Sequence, residues 1–386
     1  MDFATTPEQD ALVRRTVRFV REELPDRTAD NDRDAVFDLD GWRRLADFGV
    51  MGWPVPTEYG GAGHDLVTCA LLFEALGHAC RDNGLLFAVN NHVWAATSYL
   101  LAHGSPAQRE RFLPGLADGT LVGAHALSEP EAGSDMLALG TSAARTADGY
   151  VLTGTKTFIS NAPVADLFVL FARTGRSDTP QRDLTAFLVP AGTPGVTIAR
   201  SWSKSGLRGT PMGEVSLDGA VLAPDLVLGE EGGGYQVFTS TIEWERGFMF
   251  ASQVGTLRRL VEEATDYAGE RRQFGRPIGS FQAVSHRLAD LQVRLEAARL
   301  MLYRFAWLKQ RGRVAALESS LLKLHVSESV LAAAVDAVRV RGARGYLTDF
   351  GAEREVRDAL AGPIYGGTSD VHRSIIARLT GVSDHG

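Results

Sequence analysis

Three long stretches in the C-terminal half of the chain contain few helix breakers, and they constrain the fold most strongly. They follow Gly232-Gly233-Gly234 and span residues 235–268, 281–311 and 314–341. Glycine and proline are the residues that most often interrupt a helix, and both are scarce within these stretches. Segments of this length, joined by short connections, predict an antiparallel bundle of long helices.

Two other patterns precede this bundle. Residues 8–24 and 67–76 place apolar residues three and four positions apart, which predicts amphipathic helices. After residue 122 the chain changes to short β-prone runs separated by Gly, Asp and Pro, which predicts strands of a small barrel or sandwich. These runs are residues 150–159, 167–172, 185–189 and 215–217.

The order helix, strand, helix predicts an α+β fold in three domains. We place a helical domain at residues 1–122, a β domain at 123–230 and a helical bundle at 231–386. A chain of 386 residues is long enough for two or three domains.

The composition excludes several classes of protein. A hydrophobic fraction of 45% and a charged fraction of 23% are ordinary for a globular protein, and a net charge of −7 argues against a nucleic-acid partner. The only cysteines, Cys69 and Cys80, form no CxxC pair and suit a reducing compartment. No basic and apolar leader begins the chain, and no apolar run approaches the ~18 residues of a membrane span. We therefore expect a cytoplasmic protein without a membrane partner.

Three motifs could carry chemistry. Residues 126–135 form a loop rich in small residues and hydroxyls that could bind a planar polar ring, although such a loop is also common on ordinary surfaces. Residues 156–161 fit a strand, and without the neighbouring motifs they would be interpreted as an ordinary strand with alternating faces. Residues 271–278 form an arginine-rich turn, and arginine suits a pyrophosphate, although a basic turn is often only solvated. No GxGxxG motif follows a strand, so a nicotinamide site is unsupported, and the histidines show no metal-ligand spacing.

Together with residues 364–370 near the C-terminus, these motifs resemble the acyl-CoA dehydrogenases, in family order and over nearly the whole chain. The resemblance implies an N-terminal helical domain, a middle β-barrel domain, a C-terminal four-helix bundle and FAD as the cofactor. It also implies a homotetramer. The residues that match flavin contacts of the family are Leu127, Ser128, Gly133, Ser134, Phe158, Ser160, Thr368 and Asp370.

The arginine-rich turn resembles a part of the family that reaches the FAD of a neighbouring subunit. The resemblance therefore implies that the active unit is at least a dimer. Arg339 stands where many members have Gln. The matching residues, expected at the pyrophosphate and adenine half, are Arg271, Phe274, Gln282, Arg339 and Gly342.

The position at which many members carry the catalytic glutamate is Gly366 in this chain. Removing a proton next to a thioester carbonyl needs a carboxylate within hydrogen-bond reach. Glu243 and Glu245 are candidates, and on a helix they point roughly 200° apart, so one of them faces the site. Similarity to a branch that includes isovaleryl- and long-chain acyl-CoA dehydrogenases places the family's Glu-Arg pair on Glu245-Arg246. Glu245 is therefore the expected base, although both acids would also suit a first helical turn.

The resemblance further implies that the Gly366 N–H, with a flavin hydroxyl, holds the thioester oxygen, where hydrogen-bond donors stabilise enolate charge. The residues expected to contact the substrate are Ser134, Arg246, Tyr365 and Gly367.

The closer resemblance is to dehydrogenases that act on acyl or prolyl groups tethered to carrier proteins in natural-product pathways. It rests on residues 161–166, 243–246, 282–287 and 367–370, and on residues 204–212, which replace a region where CoA-using members often read Arg-x-Ser-x-Thr. The expected reaction is FAD-dependent α,β-dehydrogenation of a carrier-bound thioester, with flavin N5 as hydride acceptor and an electron acceptor such as an electron-transfer flavoprotein. The alternatives are a short or branched acyl-CoA substrate, a flavin monooxygenase or oxidase of the same fold, and a non-catalytic flavin-binding subunit.

Overall fold

The computed structural model describes residues 4–382. The outer limits of the first and last predicted domains, residues 1–3 and 383–386, lie outside this part. The first helix begins at a capping box, in which Thr6 and Gln9 exchange hydrogen bonds and Pro7 takes the first helical position. The N-terminal helices are α1 (Pro7–Glu23), α2 (Thr28–Asp34), α3 (Leu39–Asp47), α4 (Leu66–Ala79), α5 (Asn83–His92), α6 (Ser98–His103) and α7 (Pro106–Ala117).

A buried π-helical turn, Val93–Thr97, joins α5 to α6. His92, the last residue of α5, links this turn to the start of the middle region. Its Nδ1 accepts a hydrogen bond from the Gly123 N–H at 2.9 Å, and its Nε2 donates to the Leu116 carbonyl at 2.8 Å. Burial lowers the pKa of His92 to about 4, so the ring is neutral and serves as a fixed connector.

One eight-stranded sheet forms the middle region, as the α+β prediction requires. Its order is β6-β7-β3-β2-β4-β5-β8, and β1 pairs in parallel with β4. The central strand β4 is buried from Leu167 to Ala172, which explains its uninterrupted apolar sequence. The strands are β1 (Gly123–Ala126), β2 (Ser142–Thr146), β3 (Gly149–Ser160), β4 (Leu167–Arg173), β5 (Leu184–Pro190), β6 (Val196–Ser201), β7 (Met212–Leu222) and β8 (Val227–Leu228).

Long helices dominate the C-terminal region, as predicted. None of the helices within residues 4–382 combines the length and apolar character needed to cross a membrane. A small hairpin of β9 (Arg272–Gln273) and β10 (Arg276–Pro277) precedes the longest helix. The helices are α8 (Gly234–Phe248), α9 (Ala251–Glu270), α10 (Gln282–Gln310), α11 (Ala316–Arg341), α12 (Ala343–Tyr346), α13 (Ala352–Ala359) and α14 (Ser369–Leu379).

The prediction of one continuous helix over residues 235–268 is wrong, because the chain breaks at Met249 and Phe250 between α8 and α9. Both residues keep dihedral angles in the αR region, and neither is a helix breaker. Phe248 and Phe250 are both fully buried. In an uninterrupted helix residues two apart point roughly 200° apart, so the break allows both rings to enter the core.

The N-terminal helices and the C-terminal bundle share one hydrophobic core, whereas the sheet packs with α6 and α7 around a second core. The backbones of α4 and α9 approach very closely at Gly77. A Cβ at that position would lie 1.8 Å from the Ser252 carbonyl oxygen, so only glycine permits the contact. The helix that follows α8 is therefore locked against the N-terminal region.

Candidate active site

The two acidic residues of α8 have different surroundings. Glu243 is engaged in structure, because its Oε2 accepts a hydrogen bond from Lys309 Nζ at 2.8 Å and another from the Ala315 N–H at 3.0 Å. Glu245 is also buried, with 8% of its surface exposed, but its Oε2 has no hydrogen-bond partner among the described residues. A buried carboxylate oxygen without a hydrogen bond is costly in a purely structural role, so Glu245 is the candidate for a reactive group.

Gly366 lies opposite this carboxylate. A Cβ at Gly366 would stand 3.7 Å from Glu245 Oε1. Gly366 and the Glu245 carboxylate, the two positions that the sequence comparison of motifs singled out, therefore face the same small volume. The convergence of two positions 121 residues apart in sequence is produced by the fold, because α8 and the C-terminal loop pack against one another.

The loop around Gly366 is held at several points. The Gly366 carbonyl accepts hydrogen bonds from Arg246 Nε at 3.2 Å and from His372 Nε2 at 3.0 Å. Gly366 and Gly367 both have positive φ, at 63° and 98°, and a Cβ at Gly367 would lie 3.0 Å from His372 Nε2. Two glycines therefore permit a turn that side chains would hinder. Burial lowers the pKa of Arg246, although the Glu245 charge opposes this shift, and the guanidinium keeps its charge.

Tyr365 closes the same loop on its inner side. Its hydroxyl accepts a hydrogen bond from Gln253 Nε2 at 2.6 Å, and its ring packs between Phe87 and Phe250 at 4.7 and 5.2 Å between ring centroids. Burial raises the pKa of the Tyr365 hydroxyl well above its ordinary value. Tyr365 is thus a neutral, firmly packed side chain beside the Gly366 loop.

His125 is a site residue that no sequence motif indicated. It lies on β1, and its Nδ1 is 3.5 Å from Glu245 Oε2. Among the described residues its Nε2 has no hydrogen-bond partner. The Tyr99 ring stacks on His125 at 4.9 Å between ring centroids, and the buried Tyr99 hydroxyl also has no hydrogen-bond partner in this part of the chain. His125 lies on the strand that leads directly into the Leu127–Ser128 motif, and this position in the sequence was the available signal.

The loop that follows β1 carries Leu127 and Ser128. A buried ion pair fixes it, because Lys156 Nζ donates to the Leu127 carbonyl at 3.0 Å and to Glu129 Oε1 at 2.7 Å. The Ser128 carbonyl accepts the Thr157 N–H at 2.8 Å. Burial lowers the pKa of Lys156 to about 8, while the contact with Glu129 opposes that shift.

Gly133 and Ser134 lie farther along this loop and are exposed. A Cβ at Gly133 would meet no atom within 4 Å, so this side of the loop is open. The start of the loop is therefore fixed by hydrogen bonds, and its later part, at Gly133 and Ser134, is open to a ligand.

Phe158 and Ser160 stand at an irregular part of β3, where its pairing with β7 shifts register between Lys156 and Ile159. Phe158 has a positive φ of 59°, is 55% exposed and packs on Trp202 at 5.3 Å between ring centroids. The Ser160 carbonyl accepts a hydrogen bond from Asn91 Nδ2 at 3.2 Å. The irregular backbone thus holds a large aromatic ring outward, where it is available to stack on a planar ligand.

Thr368 and Asp370 lie at the start of α14. The Thr368 hydroxyl accepts the Val371 N–H at 3.2 Å and caps this helix. Asp370 is exposed, and its carboxylate is 2.9 Å from Arg373 Nη1. The cap fixes where the Gly366 loop ends.

The remaining predicted cofactor residues lie elsewhere, at the end of the bundle that carries the β9–β10 hairpin. All five are exposed, and Phe274 is 93% exposed with a φ of 52°. No hydrogen bond, ion pair or ring contact within residues 4–382 joins them to Glu245 or to the Ser128 loop. This group is Arg271, Phe274, Gln282, Arg339 and Gly342.

One chain thus brings together Glu245, Arg246, the Gly366 loop and His125, and leaves the Arg271 group apart. The described residues contain no cluster of His, Cys, Asp and Glu that could hold a metal ion. The arrangement places a buried carboxylate, with one oxygen that has no hydrogen bond among the described residues, against the Gly366 loop.

Family models cover most of the chain. The N-terminal, middle and C-terminal domain models of the acyl-CoA dehydrogenases match residues 6–120, 124–220 and 232–380. An L-prolyl-[peptidyl-carrier protein] dehydrogenase of Pseudomonas fluorescens is 40% identical over 349 residues, which is 90% of this chain and 92% of that protein.

Solved structures agree with this result. The crystal structure of the prolyl acyl carrier protein oxidase AnaB superposes with a TM-score of 0.95 at 39% identity, covering 98% of this chain and all of that one. A structure of PigA with FAD and proline gives a TM-score of 0.95 at 34% identity, covering 99% of this chain and 100% of that one.

Proposed function

The chain belongs to the acyl-CoA dehydrogenase family, and we propose that it is an FAD-dependent dehydrogenase of an acyl thioester carried by a carrier protein, with a prolyl group as the first candidate. The similarity to carrier-protein dehydrogenases and oxidases supports the tether and the acyl group. The observation that carries the chemistry is the buried Glu245 carboxylate, which has an unpartnered oxygen among the described residues and faces Gly366.

The residues present fit FAD. Phe158 offers an outward ring, Gly133 leaves an open loop edge, and His125 Nε2 is a buried polar atom without a partner in the described part of the chain. When bound, FAD supplies the acceptor for the hydride that leaves the substrate β-carbon. The residues that would hold the flavin half are Leu127, Ser128, Gly133, Ser134, Phe158, Ser160, Thr368 and Asp370.

Glu245 takes the α-proton in this proposal. Glu243 cannot readily serve, because Lys309 and the Ala315 N–H occupy its Oε2. The Gly366 N–H holds the thioester oxygen, and the hydrogen bonds from Arg246 and His372 to the Gly366 carbonyl keep the loop in place. Tyr365, Gly367 and Ser134 line the path of the thioester arm.

The adenine half needs a second copy of the chain. The Arg271 group lies apart from the Glu245 region, yet arginine donors and the exposed Phe274 ring suit a pyrophosphate and a purine. Large apolar side chains are also exposed along α10 and between the end of α12 and the start of α13, which favours burial against another copy in a homotetramer. These side chains include Val293, Leu300, Tyr346, Leu347 and Phe350.

The electron acceptor follows from the same family. An electron-transfer flavoprotein would reoxidise the flavin of a dehydrogenase, whereas direct reaction with oxygen would make the enzyme an oxidase, the activity named for AnaB. The cytoplasmic location stays a prediction from the sequence.

The test is anaerobic bleaching of the flavin by a panel of thioesters: prolyl and short acyl groups, each on a carrier protein and on CoA. We expect the prolyl carrier thioester to bleach fastest. Glu245→Gln should reduce the rate constant by ~10²-fold or more, because general-base catalysis contributes that much. Glu243→Gln is the matched control, and its flavin should still bleach in protein that remains folded.

Three results would count against parts of the proposal. Unchanged bleaching in Glu245→Gln removes Glu245 as the base. Faster bleaching by the CoA esters favours an acyl-CoA dehydrogenase. A flavin that no thioester bleaches, in protein that still binds FAD, favours a monooxygenase or a non-catalytic flavin-binding subunit.

A further inference from the structure

The two carboxylate oxygens of Glu245 face different partners. Oε1 stands 3.7 Å from the Cβ position of Gly366, on the side of the substrate loop. Oε2 stands 3.5 Å from His125 Nδ1, on the side of the sheet. The carboxylate thus has a reactive side and a supported side.

His125 is fixed before any ligand binds. Its ring stacks on Tyr99 at 4.9 Å and meets Phe171 edge-on at 5.6 Å. Its backbone is paired through β1 with β4, opposite Val169. Only 9% of the side chain is exposed. Three contacts therefore hold Nδ1 at the carboxylate.

We propose that His125 is the positioning residue of Glu245: its Nδ1–H donates to Oε2 and leaves Oε1 as the oxygen that takes the α-proton. This inference rests on the proposed function, in which Glu245 is the base. The observed 3.5 Å is longer than a hydrogen bond, and such contacts commonly shorten when substrate binds.

The surroundings leave His125 the natural donor for Oε2. Arg246 is adjacent in sequence, but its Nε is directed to the Gly366 carbonyl. Glu243 is paired with Lys309. Tyr99 stacks on the His125 ring, and its buried hydroxyl, whose pKa is raised by burial and by the Glu245 charge, makes no hydrogen bond to that carboxylate. A carboxylate already oriented by a hydrogen-bond donor pays a smaller entropic cost to reach the reactive geometry, which is the benefit of preorganisation.

Two substitutions separate hydrogen bonding from packing. His125→Phe keeps an aromatic ring between Tyr99 and Phe171 and removes the donor. His125→Asn removes the ring and places an amide N–H near the position of Nδ1. The control is His103→Asn, because His103 hydrogen-bonds Ser240 and Thr241 on the same helix as Glu245 and does not contact that carboxylate.

The kinetic measurement is anaerobic flavin reduction by the prolyl carrier thioester, with the rate constant and the Kd determined separately. We expect His125→Phe to lower the rate constant ~10-fold or more with Kd changed less than about twofold, because orientation of the base affects the reaction and not substrate binding. His125→Asn should recover most of the rate, and His103→Asn should match the wild type. A wild-type rate in His125→Phe, or an Asn variant as slow as the Phe variant, overturns the proposal.

A second measurement does not depend on turnover. Crystal structures of the wild type and both variants should show Glu245 in one orientation wherever residue 125 can donate, and in a rotated or divided orientation in His125→Phe. The same orientation in all three overturns the proposal. If no thioester reduces the wild-type flavin, the proposed function fails, and this structural comparison still decides the role of His125.

Discussion

At the scale of single residues, the site is defined by which polar atoms lack partners. Glu243 and Glu245 have the same side chain, the same helix and similar burial, yet only Glu243 has its charge matched by Lys309 and a backbone N–H. Glu245 Oε2 has His125 at 3.5 Å and no hydrogen bond within residues 4–382. Because an unmatched buried carboxylate is costly, its presence indicates function more strongly than its residue type does.

A second acidic pair shows how burial changes a carboxyl group. Asp358 accepts a hydrogen bond from the Leu207 N–H at 2.6 Å. The Asn83 side-chain amide donates to both Asp358 and Glu355, and Glu355 also forms an ion pair with Arg259. Burial, aided by the Glu355 charge, raises the pKa of Asp358 to about 7. The folded protein therefore holds a proton at Asp358 that the unfolded chain releases at about pH 4.

This proton predicts a pH effect on stability. The contribution of Asp358 is fully present below about pH 4 and is lost as the pH rises to about 7, because the unfolded chain then binds fewer protons than the folded one. Asp358→Asn removes this part of the pH dependence, so Tm of the variant relative to wild type should increase between pH 5 and pH 8. Thermal unfolding across this range measures it, with the exposed Asp47→Asn as control. Parallel curves for Asp358→Asn and wild type would contradict the prediction.

At the scale of elements, the contact between α4 and α9 fixes the helix that follows α8, the helix that carries Glu245. Gly77→Ala would place Cβ 1.8 Å from the Ser252 carbonyl, a backbone atom that cannot move without separating the helices. We expect a loss of several kcal/mol, since overpacking a rigid contact costs ~1–3 kcal/mol or more. Gly269→Ala is the matched control on α9, because its Cβ would meet nothing within 4 Å and should stabilise the helix by roughly 0.5–1 kcal/mol. Chemical denaturation of both variants checks the sign of each change.

The elements themselves were largely predictable, and their interruptions were not. Helices such as α10 and α11 follow from apolar periodicity and scarce breakers, which are local properties of the sequence. The break at Met249 lies among good helix residues, and it reflects the burial of both Phe248 and Phe250 by distant elements. His125 was missed for the same reason, since its importance depends on a carboxylate 120 residues away.

At the scale of the whole molecule, the site belongs to no single predicted domain. Glu245 comes from the C-terminal bundle, His125 from the sheet and Tyr99 from the N-terminal helices. The N-terminal helices and the bundle also share one core, so residues 4–122 and 231–382 depend on each other for their burial. The limits of the three domains stay a prediction from sequence.

The proposed sharing of sites between copies predicts complementation. The Glu245→Gln chain lacks the base in its own site, but its Arg271 can still bind the FAD of a neighbouring chain. The Arg271→Ala chain keeps Glu245, but it cannot contribute Arg271 to a neighbour's FAD. Each variant alone should be inactive or weakly active. A mixed oligomer should recover activity, because the site that contains Glu245 from one copy then receives Arg271 from the other.

The mixed oligomer is made by co-expressing the two chains with different affinity tags and purifying on both tags. The measurements on this protein are its flavin content, the rate of flavin reduction by the prolyl carrier thioester and the oligomer mass. The matched control pairs Glu245→Gln with a chain that carries both substitutions, since no site in that mixture has a base and none should recover. Arg271 is exposed and, within residues 4–382, makes no hydrogen bond, ion pair or ring contact with the Glu245 region, so recovery can arise only if a second copy completes the site. A mixed oligomer no more active than its separate components would show that each chain binds FAD with its own residues and would remove the Arg271 group from the site.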